Sequence, residues 1–74
     1  MDTQTIEALI KQAIPGADVQ VKDLRGDGRH YSAVVVSAVF EGKPLVEQHR
    51  MVHAALGQHL EESIHALQIK TRVA

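Results

Sequence analysis

Apolar residues recur at Ile6, Leu9, Ile10, Ala13 and Ile14, which are positions i, i+3, i+4, i+7 and i+8. That spacing places one continuous stripe on an amphipathic helix over about residues 3–14. Asp2 or Thr3 can cap its start by accepting a backbone N–H. Pro15-Gly16 stops it, because proline lacks a donor and disfavours helix in the residue before it. Residues 17–24 switch to a period of two: Ala17, Val19 and Val21 face one way, Asp18, Gln20 and Lys22 the other. This predicts a half-buried strand. Arg25-Gly-Asp-Gly-Arg29 is a turn-rich loop whose Asp-Gly favours a hairpin. Residues 30–39 read as a second strand, apolar on both faces around Val34-Val35-Val36 and so expected at the centre of its sheet.

Phe40-Glu-Gly-Lys-Pro44 is a turn. The helix after it, residues 45–56, is expected to bury Leu45, Val52, Ala55 and Leu56, with His49 near the same face. Gly57 breaks it. Residues 58–63 form a short extra turn with Leu60 facing inward, and Ile64 to Thr71 a last strand on which His65, Leu67 and Ile69 share a face. The order is α-β-β-α-α-β. Three strands with helices on one face make an α+β two-layer sandwich, and the helical crossover permits the last strand to run parallel to a neighbour.

Seventy-four residues without a repeat, linker or low-complexity tract make one domain, residues 1–74. With one Phe, one Tyr and no Trp, the core must come from Val, Ile, Leu and Ala, and no stacking platform for bases is available. Zero Cys excludes disulfides and any thiolate ligand from this chain, and fits a reducing compartment. A formal charge of −1 argues against strong non-specific attraction to nucleic acid. No apolar stretch approaches the roughly 20 residues of a membrane span. The opening Met-Asp-Thr-Gln-Thr is unlike a signal peptide. A soluble, cytoplasmic domain is expected.

The chemistry left to weigh lies in five histidines. His49 and His53 form an i, i+4 pair of the kind that binds zinc. No Glu follows His49 to act as a base and no third ligand is assigned, so one boundary residue and one surface residue are expected. His59 is expected to be exposed. Ser32, Ser37 and Ser63 have no evident His–acid partners, and no phosphate-binding Gly-rich loop precedes a helix. Catalysis is therefore not expected.

Phe40-Glu-Gly-Lys-Pro-Leu-Val-Glu-Gln-His-Arg-Met-Val, followed by Ile64-His-Ala-Leu-Gln-Ile-Lys-Thr, resembles the BolA-like family over nearly the whole chain. The resemblance implies a KH-like fold with a three-stranded mixed sheet, in agreement with the order read above. It also implies a non-enzymatic adaptor that pairs with a monothiol glutaredoxin. The heterodimer holds a [2Fe–2S] cluster between the partners, in iron homeostasis or cluster trafficking. The implied ligands are His65, heading the last strand, and His30, in the loop position that is Cys in some relatives. His30, as part of a mobile loop, would donate a ligand once a partner orders it. An imidazole at a strand edge also serves as an ordinary structural residue bonded to a backbone carbonyl.

Neutral imidazole is a competent iron ligand. With no thiolate of its own, the chain needs sulfur ligands from the glutaredoxin and glutathione, and no cofactor is expected in the isolated chain. Histidines in place of thiolates at one iron resemble the Rieske pattern, which raises the reduction potential. Helix 45–56 and the last strand are expected to supply the contact surface, with Val46 and Met51 as exposed apolar contacts.

Two departures from the family pattern stand out. Gln48 replaces a frequent Arg, a change expected to alter the surface rather than the ligands. Many relatives continue past the position of Ala74 with an acidic and aromatic tail, so any partner contact made by that tail is expected to be missing. The alternative reading is a DNA-binding transcriptional regulator, with Lys43, Arg50 and Lys70 as a modest basic patch. Against it, Gly57-Gln-His-Leu60 lacks the second glycine of a KH phosphate clamp. A homodimer of the free chain stays open.

Overall fold

The computed structural model describes residues 2–57, 59–62 and 66–74. Helix α1 (Thr3–Ala13) leads into strand β1 (Asp18–Asp23) and strand β2 (His30–Val36). A 3₁₀ turn (Ala38–Phe40) is followed by helix α2 (Leu45–Leu56), the short helix α3 (His59–Glu62) and strand β3 (Ala66–Arg72). The sheet order is β1-β2-β3, with β1 antiparallel and β3 parallel to the central β2. Helices α1 and α2 pack on each other, α1 against β1 and α2 against β3. The expected mixed three-stranded, two-layer α+β fold is what the chain forms.

The local reasons hold as well. The Asp2 carboxylate accepts the Thr5 N–H at 2.7 Å and starts α1. Ile6, Ile10 and Ile14 bury the helix stripe, with Leu9 half-buried beside them, while Ala13 is exposed at its end. Residues of β2 alternate between buried and half-buried. Tyr31, Ala33 and Val35 face the helices, and His30, Ser32, Val34 and Val36 the uncovered side of the sheet.

Several expectations need correction. Strand β2 ends at Val36 rather than residue 39, because the Ser37 hydroxyl accepts the Val39 N–H at 3.2 Å and turns the chain. The turn drives the ring of Phe40 into the core. Helix α2 is rotated relative to its apolar pattern: Leu45 is 60% exposed, whereas Gln48, Val52 and Leu56 are buried. Met51, expected outside, packs half-buried against the core. His59 is half-buried rather than exposed.

The rotation of α2 has a polar cause. The Gln48 amide donates to the Lys43 carbonyl at 2.8 Å and weakly to that of Phe40 at 3.5 Å, while its oxygen accepts the Thr71 hydroxyl of β3 at 2.5 Å. Gln48, only 8% exposed, thus ties the turn before α2 to the end of the sheet. It does not alter the surface, as the sequence suggested. No buried side-chain nitrogen or oxygen among the described residues lacks a partner.

Candidate metal centre

The loop between β1 and β2 is built around two carboxylates. Asp23 accepts the N–H groups of Arg25 (3.3 Å) and Gly26 (2.9 Å) on one oxygen and that of Gly28 (2.8 Å) on the other. Gly26 and Gly28 sit at φ of 69° and 70°, the left-handed region that a side chain disfavours. They let the three N–H groups converge on Asp23. The Leu24 N–H closes the hairpin on the His30 carbonyl at 2.8 Å, and the Ala66 N–H joins β3 to Arg29 at 3.1 Å.

Asp27 uses its two oxygens differently. Oδ1 accepts the backbone N–H groups of Arg29 (2.9 Å) and His30 (3.2 Å). Oδ2 lies 2.8 Å from His30 Nδ1. The His30 side chain is 18% exposed and heads β2. It is therefore not the passenger of a mobile loop. Both its backbone and its ring are held by one residue three positions earlier. A carboxylate holding one imidazole nitrogen is the arrangement that orients a metal-ligating histidine. The sequence reading missed Asp27, although Asp three residues before His beside a glycine is a legible Asx-turn signal.

The parallel register sets His30 opposite Ala66, the residue directly after His65 in the chain. His65, Ile64 and Ser63 lie outside the described residues. His49 is half-buried and His53 exposed on α2, and no three His, Cys, Asp or Glu side chains among the described residues come together to hold a metal. Zinc binding by the α2 pair gains nothing from the structure.

The proposed basic patch does not assemble. Arg50 pairs with Glu47 at 2.9 Å. Lys70 lies in a shallow depression with Ser32, Val34 and Gln68, on the sheet side away from α2. Of the expected apolar contacts, Val46 is 57% exposed beside Leu45, but Met51 is not free to serve. No helix among the described residues is long and apolar enough to cross a membrane.

Burial pushes the Tyr31 hydroxyl above its ordinary pKa of 10.0. Hydrogen bonds from Thr5 hold Asp2 below the ordinary 3.8, and the Arg29 N–H, then His30, do the same for Asp27. Both carboxylates are better stabilised when ionised in the folded state. Their contribution is complete above about 3.8 and is lost as pH falls through the lowered folded values. The urea midpoint should therefore drop as pH falls below about 4, and less steeply in Asp2→Ala. An unchanged slope in that variant would show that Asp2 is not a source of the acid sensitivity.

Fold and site together define a small two-layer α+β domain that presents a carboxylate-held histidine at the head of its central strand. The family model described as BolA-like protein matches residues 6–74, and the chain belongs to that family. Protein BOLA2 of Arabidopsis thaliana is 43% identical over 68 residues, covering 90% of this chain and 72% of that protein. The structure of a BolA homologue from Coxiella burnetii has a TM-score of 0.83 at 36% identity, covering 99% of this chain and 91% of the other. Yeast Fra2 gives a TM-score of 0.79 at 34% identity, covering 96% and 77%.

Proposed function

We propose that this BolA-like protein is a non-enzymatic adaptor of the cytoplasm. It binds a monothiol glutaredoxin and completes, through His65 and His30, the ligation of a [2Fe–2S] cluster shared with that partner and glutathione. The observation that supports this reading most is the grip of Asp27 on His30 Nδ1 at 2.8 Å, at a strand head whose neighbour on β3 directly follows His65 in sequence. This donor set fits the cluster in chemistry: imidazole is a competent iron ligand, and with no Cys in the chain the sulfur ligands must come from the partner. The exposed Leu45 and Val46 at the start of α2 offer apolar surface for the partner.

The DNA-binding alternative is weaker, because Arg50 is paired and Lys70 faces away from α2. The deciding experiment mixes the purified protein with a cluster-loaded monothiol glutaredoxin and records visible circular dichroism. A complex forms and the spectrum changes; His65→Ala abolishes the change and His30→Ala diminishes it. Absence of both a complex and a spectral change rejects the adaptor reading.

A further inference from the structure

We infer that the outer edge of β3 is a docking site for an extended segment of a partner in which acidic and apolar residues alternate. The inference is independent of the cluster reading, because it uses neither histidine. The Ala66 N–H donates to the Arg29 carbonyl at 3.1 Å, and the Ser37 N–H to the Arg72 carbonyl at 3.0 Å. Backbone groups of successive strand residues point to opposite sides, so these two bonds fix the phase of the ladder. Even-numbered residues of β3 direct their N–H and C=O groups to β2. Leu67, Ile69 and Thr71 direct theirs outward, where no group of the described residues meets them. A strand of 7 residues with a free edge is a template for one more strand.

The side chains select the occupant. Leu67 and Ile69 are half-buried against the core on the helix side, so an added strand gains by placing apolar residues beside them. On the uncovered side β3 carries Gln68, Lys70 and Arg72, all exposed, beside Ser32, Val34 and Val36 of β2. No ion pair among the described residues involves Lys70 or Arg72. Acidic residues at alternate positions of the added strand complement these two cations. A second copy of β3 does not. Paired antiparallel about Lys70, it sets the two lysines directly opposite each other. Paired about Ile69, it sets them on a diagonal, still within reach, so both registers bring like charges together. The outer edge of β1 carries Asp18 and Lys22 on that same side and selects neither sign.

The probe is a capped peptide, matched to β3 in length, in which Glu and Val alternate, and the readout is backbone amide hydrogen exchange. In the dilute free protein the Leu67, Ile69 and Thr71 amides should exchange fast, and those of Gln68 and Lys70, bonded to β2, slowly. At millimolar peptide the three outward amides slow as well, whereas a Lys/Val peptide of the same length leaves them fast. In Lys70→Glu/Arg72→Glu, affinity for the Glu/Val peptide falls about tenfold, the scale set by reversing two cross-strand charge pairs, and the Lys/Val peptide binds instead. Both side chains are exposed, so the fold survives the change. Slow outward amides in the dilute free protein, equal protection by both peptides, or no protection by either overturns the inference. So does protection that grows with protein concentration alone, which assigns the edge to a second copy.

Discussion

Phe40→Ala is expected to leave the domain at the edge of unfolding. Phe40 is 0% exposed and is the only phenylalanine of the chain. With Tyr31 it supplies all the aromatic volume of a core otherwise made of Ile, Val, Leu and Ala. Truncating a buried Phe costs about 3–5 kcal/mol, from lost transfer energy and from the cavity left behind. At roughly 0.05–0.15 kcal/mol per residue, a chain of this size has about 4–11 kcal/mol in total. Urea titration followed by far-ultraviolet circular dichroism measures the loss. Phe40→Leu, which refills part of the space, should recover much of it. A loss in Phe40→Ala below about 1 kcal/mol would mean that the ring is not a core element, since that is within reach of an ordinary substitution.

The second large effect is expected at Gln48. Its amide donates to Lys43, and its oxygen accepts from Thr71 in the neighbouring layer. Gln48→Leu fills the space but strands the Lys43 carbonyl and the Thr71 hydroxyl. Both bonds are only part-buried, so the expected loss lies toward the low end of the about 1–3 kcal/mol that an orphaned buried polar group costs. The Thr71 side is separable. Thr71→Val alone removes the hydroxyl and leaves the Gln48 oxygen unmet, and the double variant Gln48→Leu/Thr71→Val removes both ends of the bond. If the bond matters, the double variant loses less than the two single losses added, with a coupling of about 0.5–3 kcal/mol. Strict additivity would show that the two side chains act independently. Gln48→Glu is the informative neighbour: a carboxylate still accepts from Thr71 but cannot donate to Lys43.

Gln48 also explains where reading the chain falls short. An apolar stripe says which residues of α2 prefer an interior, and Val52 and Leu56 do lie there. It does not say which azimuth of the helix meets the sheet when a polar residue competes. A carbonyl pair in the preceding turn and a hydroxyl 23 residues away draw Gln48 inward. Leu45, three residues earlier, is left in solvent and Met51 is turned toward the core. Phe40 escaped for a related reason. A residue in a Gly- and Pro-rich turn reads as surface, and only the 3₁₀ turn capped by Ser37 carries its ring inside.

The candidate centre was partly legible. His30 was placed at the head of the second strand, where it lies. A glycine-rich loop suggests mobility, yet those glycines are what let Asp23 gather three N–H groups. Asp27 could have been found, since its bonds to Arg29 and His30 span only two and three residues.

The order of helices and strands, the central place of β2 and the cap on α1 were determined by the sequence alone. Each depends on periodicity or turn chemistry within a few residues, and a local signal survives without the rest of the molecule. The parallel pairing of β3, the rotation of α2 and the meeting of Gln48 with Thr71 were decided only in three dimensions. Each joins segments far apart in the chain, where the geometry of packing between layers selects among partners that local preference leaves equivalent.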